Sequence, residues 1–230
     1  MLFYGVLIGL LVTASAQYCY QSTSDACSSN PVKNPVECTA KFGKINDLLP
    51  DLQSYAMSSI DKSYEFLLMS SHFGSYETNR EGFKKLYRKL SDKTWEHAIN
   101  MIKYIAQRGG TMNFMEPPRL SNPDDLNDNS SNGKVFELIE LDSLAKALDS
   151  EKQLVNKALY IHKEAQHQVN KMDAGVAHYI EEHLIEPLSE SVRQLAGYSN
   201  DLKNMLTVHE HNDARGVAVF LFDEYLSKSL

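Results

Sequence analysis

Residues 109–136 read GGTMNFMEPPRLSNPDDLNDNSSNGKVF, and the topology of the chain turns on them. The stretch opens on a glycine pair, holds Pro117, Pro118 and Pro123 with five asparagines, and shows no helical period. Connections this long are uncommon within a domain unless they have distance to cover. Extended at ~3.3 Å per residue, the segment easily runs the ~40 Å length of a helix of 25 to 30 residues.

Long helices are what flank it. Phe83, Leu86, Tyr87, Leu90, His97, Met101, Tyr104 and Ile105 recur at helical spacing and stop at Gly109-Gly110. Before them, from Asp47 to about His72, come Leu48, Leu52, Tyr55, Ile60, Phe66, Leu67 and then Phe73, with a turn at residues 74–79. After the connection, Leu138, Leu141, Leu144, Leu148, Val155, Ala158 and Ile161 mark a third helix. A fourth begins near Asp173 and carries Val176, Ile180, Leu184, Leu188, Val192, Leu195, Leu202 and Met205. A shorter helix follows, from about Asp213 to Ser227. Strand signals are almost absent.

Amphipathic helices of this length bury their stripes along a common seam. The short first and third connections make helices one and two, and three and four, antiparallel neighbours. The long middle connection lets the third helix start at the opposite end from where the second stops. The pattern predicts an all-α four-helix bundle with one long crossover loop and a short fifth helix. Pro187, inside the fourth helix, removes a backbone bond and predicts a kink there.

Residues 1–16 carry no charge, and Leu2 to Val12 form an apolar run of eleven, closed by Ala14-Ser15-Ala16. A membrane span needs ~20 such residues, so the run reads as a signal peptide. The expected organisation is a signal peptide over 1–16, a cysteine-bearing extension over 17–46 and a helical domain over 47–230. The three cysteines, Cys19, Cys27 and Cys38, all follow the signal. In an oxidising compartment two pair and one is left, either for a bond to another chain or as a buried thiol. Asn129-Ser130-Ser131 is a glycosylation sequon in polar surroundings. The net charge of −7 argues against nucleic acid and against an anionic membrane surface as partners.

Several segments, in order, resemble ferritins. Leu67-Leu68-Met69-Ser70 with Phe73 resembles the end of the first ferritin helix, and Glu96-His97-Ala98 with Gln107-Arg108-Gly109-Gly110 the end of the second. Ala147-Leu148, Glu151-Lys152 and His162-Lys163 resemble the third, and Tyr179-Ile180-Glu181 with His183 and Leu195-Ala196-Gly197 the fourth. Phe222-Asp223 with Leu226 resembles the short last helix. The match covers nearly all of residues 48–230. With the cysteine-bearing extension, it is similar to the secreted ferritins of insects, in particular their light-chain type.

The resemblance implies a ferritin-like bundle and, in catalytic members, a di-iron centre that oxidises ferrous iron. Two divalent ions ~3.5–4 Å apart repel by on the order of 20 kcal/mol at an effective dielectric near 20. Bridging carboxylates must offset that. Carried over position by position, the first-helix Glu falls on Ser59 and the Tyr on Phe66. Glu-x-x-His becomes Thr94-Trp95-Glu96-His97, the third-helix Glu is Glu151, and the fourth-helix ligand falls on Leu188. His97 and Glu151 are left as a vestigial or weak metal site, or as a polar pair hydrogen-bonded to each other. Glu164-Ala165-Gln166-His167 also spells Glu-x-x-His, but Glu164 lies about 220° around the helix from Glu151 and should face away from the core.

Two accessory roles are treated unequally. Carboxylates on the cavity face of the second helix nucleate mineral in the family; here the stretch reads Lys85, Arg88, Lys89, Asp92, Lys93 and Glu96, which is mostly basic. His162, His178 and Glu181 fall on or near the family's three-fold pore, with a histidine replacing the usual Asp, or else they are ordinary contact polarity. His209-Glu210-His211 is a further polar run in a hinge. The resemblance thus implies a non-catalytic subunit of a secreted, heteromeric iron-storing shell. It would assemble with like subunits and a ferroxidase-active heavy-type partner, with a possible interchain disulfide and ferric mineral as cargo. The rivals are a self-sufficient ferroxidase, opposed by Ser59, Phe66, Thr94 and Leu188, and a secreted helical binding protein unrelated to iron. A carrier of that kind needs an unfilled seam, against which Trp95, His97 and Glu151 argue.

Overall fold

The computed structural model describes residue 19 and residues 38–115, 139–167, 172–208 and 212–230. The expected signal peptide, Cys27, Asn129 and His209 to His211 lie outside these. Among the described residues the helices are α1 (Ile45–Phe73), α2 (Glu81–Gln107), α3 (Glu140–Gln166), α4 and α5 (Asn212–Ser229). α4 runs as Ala174–Ile180, a π turn over Glu181–Ile185, and Glu186–Val208. The described residues contain no strand, and none of their helices is long and apolar enough to cross a membrane.

The five predicted helices are all present, while residues 116–138 of the expected crossover lie outside the described ones. α1 packs along α2, α3 along α4, α1 also meets α3, and α5 lies against α2. Pro187 leaves its mark as the π turn directly before it. A proline has no N–H to close the preceding turn, and a wider turn absorbs the mismatch.

Local chemistry explains where the elements join. Asp173 caps α4 by accepting from the Val176 N–H at 3.1 Å, and it also accepts from the Lys44 N–H at 2.9 Å. Arg108, at the end of α2, donates to the same carboxylate at 2.7 Å and to the Tyr104 hydroxyl at 2.8 Å. One buried carboxylate thereby ties the start of α1, the end of α2 and the start of α4. Gly43 makes room for it: its φ of 65° is left-handed, and a Cβ there would strike the Asp173 carboxylate. At the other end of α2, Arg80 offers no side-chain cap. Asp223 of α5 takes over that task, accepting from the Phe83 N–H at 3.0 Å.

The chain divides into units Met1–Phe42 and Gly43–Leu230. In the first, a disulfide joins Cys19 to Cys38. That resolves which of the three thiols pair, a point left open by spacing alone.

Candidate functional site

The apolar core of the bundle comes in two clusters. One holds Leu52, Tyr55, Ala56, Met101, Leu154, Leu184 and Leu188; the other holds Phe66, Phe73, Phe83, Leu90, Ala147 and Leu195. Each of the four long helices passes from one cluster to the other, and between them each presents polar side chains. Those are Ser58, Ser59, Lys62 and Ser63 on α1, Ser91, Thr94 and His97 on α2, Ser150 and Glu151 on α3, and Ser191 on α4, all buried. A polar level therefore crosses the middle of an otherwise apolar bundle.

Some of its members satisfy one another. Ser63 donates to the Ser91 carbonyl and Ser91 to the Ser63 carbonyl, both at 2.9 Å, clasping α1 to α2. The Thr94 hydroxyl donates to the Leu90 carbonyl, one turn back, at 2.8 Å. Lys62 pairs with Glu65 at 2.8 Å.

Others are left wanting. Ser59 Oγ, Tyr55 Oη, His97 Nδ1 and both carboxylate oxygens of Glu151 are buried without a hydrogen bond of normal geometry. Such groups cost free energy when burial strips them of water. The expected hydrogen bond between His97 and Glu151 is not made. Instead the cation near Glu151 is Lys93, expected on the open cavity face. It folds inward, half-buried, and donates to the Pro187 carbonyl at 2.7 Å and to the Ser191 hydroxyl. Burial lowers the ammonium's pKa, opposed by the charge of Glu151.

Ionisation at this level follows from burial. Desolvation pushes the Glu151 carboxyl up to about 7, with Lys93 and the nearby Ser191 hydroxyl pulling against it. Desolvation pushes the His97 imidazole down to about 4, and the Lys93 charge adds to that. The Tyr55 phenol is pushed up by burial and then by Glu151, with Ser59 easing it. Near neutral pH the level holds a neutral imidazole, a carboxyl close to half-ionised and neutral hydroxyls.

The other positions singled out in the sequence are placed as follows. Ser59, Phe66, Thr94 and Leu188 are all buried, Phe66 and Leu188 within the two apolar clusters. Glu164 is half-buried, and its backbone carbonyl accepts from Lys44 Nζ at 2.9 Å. Trp95 departs from expectation: it is 50% exposed rather than seated in the seam. On the surface between α3 and α4, His162 approaches Glu181 at 3.9 Å, while His178 pairs with Glu182 at 3.2 Å. Among the described residues no three His, Cys, Asp or Glu side chains converge as a metal-binding group.

Sequence reasoning missed Lys93, Ser191 and Tyr55 as parts of this level. Ser191 carried a readable signal, a hydroxyl three residues beyond Leu188 on the seam. Lys93 carried none, because it reads as one more member of a basic surface run.

Four long helices with a long stretch of chain between the second and the third, a polar level across their centre and a short fifth helix define the ferritin-like class. A family model described as a ferritin-like domain matches residues 52–205. The chain is 38% identical to the ferritin light chain of Drosophila melanogaster, over 98% of this chain and 96% of that one. It is 37% identical to the ferritin light chain of Trichoplusia ni, over 97% and 96%. The crystal structure of Trichoplusia ni secreted ferritin matches with a TM-score of 0.80 at 34% identity, covering 94% of this chain and all of that one. The chain belongs to the ferritin family.

Proposed function

We propose that the chain is a non-catalytic, light-chain-type subunit of a secreted ferritin shell that stores iron beside a ferroxidase-active partner subunit. The carrying observation is the donor set of the central level. It offers one carboxylate, Glu151, one imidazole, His97, and otherwise hydroxyls and hydrocarbon at Ser59, Thr94, Phe66 and Leu188. Lys93 adds a positive charge where two divalent ions would need negative ones. Repulsion on the order of 20 kcal/mol between paired ions is not offset by one carboxylate. These residues do not fit a di-iron centre.

Assembly is supported by surfaces that a lone bundle leaves uncovered. Tyr64 of α1 and Trp95 of α2 are exposed, as are Val217, Phe220, Leu221 and Tyr225 on α5. The α5 residues fall at i, i+3, i+4 and i+8, one face of the helix, and apolar faces of this kind mark contact surfaces. With Cys19 and Cys38 joined, Cys27 is the cysteine available for a link between subunit types. In this reading His162, His178 and Glu181 lie on or near the three-fold pore of the shell, and Asn129 carries its glycan.

Co-expression with a heavy-type subunit tests the reading. A large mixed shell on gel filtration, holding iron and showing an interchain band on non-reducing electrophoresis, is expected. A monomer or dimer without iron contradicts it.

A further inference from the structure

A surface groove of about 770 Å³ runs between the C-terminal end of α1 and the N-terminal half of α2. One wall carries Lys84, Lys85, Arg88 and Lys89 from α2, and the other Ser71 and Leu67 from α1. Spacings of i, i+1, i+4 and i+5 place the four cations along one stripe of the helix. The chain as a whole carries −7, so this stripe is opposite in sign to the net charge.

Two of the cations are matched within the protein. Arg88 pairs with Asp92, which also lines the groove, at 2.9 Å, and Lys84 pairs with Glu81 at 3.0 Å. The other two form no ion pair among the described residues, and Lys85 instead donates to the Ser227 carbonyl and hydroxyl at 3.0 and 3.2 Å. The Lys89 charge also acts on Lys93, one turn further along. A concave surface lined by one sign of charge concentrates counter-ions, and lysine and arginine donors beside a hydroxyl suit a tetrahedral oxyanion. A long polyanion is disfavoured by the acidic remainder of the chain.

We propose that this groove is an oxyanion site that takes inorganic phosphate. Its consequence for mineral growth rests on the shell-subunit reading: a basic face repels ferric ions, and the same face carrying phosphate attracts them. The binding itself does not depend on that reading.

Equilibrium dialysis of inorganic phosphate against the iron-free full chain tests it. Saturable binding that weakens as salt is added is expected. The variant Lys85→Gln/Arg88→Gln/Lys89→Gln should bind at least tenfold more weakly. Lys89→Gln alone should fall between, and Lys103→Gln, exposed on α2 outside the groove, should bind as the parent does. No saturable binding, unchanged binding by the triple variant, or an equal loss with Lys103→Gln overturns the proposal. The iron content of co-expressed shells is read separately. A shell that holds iron without binding phosphate refutes the groove and leaves storage standing, whereas phosphate binding without iron refutes storage and leaves the groove.

Discussion

Glu151 on α3 and His97 on α2 lie at one buried level, and burial moves their ionisation in opposite directions. The Glu151 pKa is raised in the folded state to about 7. Its contribution to stability is therefore full below the ordinary carboxyl value of about 4.5 and is lost as pH rises to about 7, on the order of 3 kcal/mol. His97 is lowered to about 4, so its contribution is full above about 6.5 and is lost as pH falls towards 4. Between pH 4.5 and 6.5 the two oppose each other. Glu151→Gln removes one of them. Thermal melts should show the variant several degrees more stable than the parent at pH 8 and nearly equal to it at pH 4.5. An equal shift at both pH values would mean that the carboxyl is not held up by its surroundings.

The same scale shows what could be read beforehand. Polar residues at core positions of a helical stripe, such as Ser59, Thr94 and Glu151, are visible to periodicity because they interrupt it. Lys93 is not, since its inward turn depends on the Pro187 carbonyl and the Ser191 hydroxyl on α4, both far away in sequence. Likewise the His97–Glu151 pair was a reasonable expectation from two leftover ligands, but adjacency in a family pattern does not supply hydrogen-bond geometry.

At the scale of elements, α5 packs on α2 and α4 and meets α2 at one especially tight junction. A Cβ on Gly82 would collide with the Asp223 backbone carbonyl, and the Asp223 carboxylate caps the N-terminal end of α2. Gly82→Ala should push α5 away and cost about 1–3 kcal/mol, as overpacking does. Hydrogen exchange should quicken in α5 and in the first turn of α2, and leave α3 unchanged. Gly197 is the opposite case, an exposed glycine inside α4 with nothing within 4 Å of an added Cβ. Gly197→Ala should stabilise the isolated subunit by up to about 1 kcal/mol in chemical denaturation. If it weakens the assembled shell instead, another subunit approaches that glycine closely.

Helix positions were legible from the sequence because a 3.6-residue stripe is a local signal repeated many times along α1 to α4. The π turn over Glu181–Ile185 was legible only as trouble near Pro187. Whether a proline produces a bend or a wider turn is decided by neighbouring helices, and no spacing reports that.

At the scale of the whole molecule, the exposed Tyr64, Trp95, Phe220 and Leu221 are side chains that the proposed shell would cover. Trp95→Glu on the α1–α2 face should leave the subunit folded, since the ring is already half in water, and should lower the fraction recovered as a shell. Sedimentation of parent and variant at equal concentration reads that difference. A full shell yield would remove this face from the assembly contacts.

The passive role assigned to the central level meets its sharpest test in ferrous oxidation by the purified chain alone. Stopped-flow spectroscopy in air-saturated buffer at neutral pH should find ferrous iron oxidised no faster than in protein-free buffer, with Glu151→Gln giving the same trace. Rapid oxygen-dependent turnover by the parent, abolished in Glu151→Gln, would contradict the account.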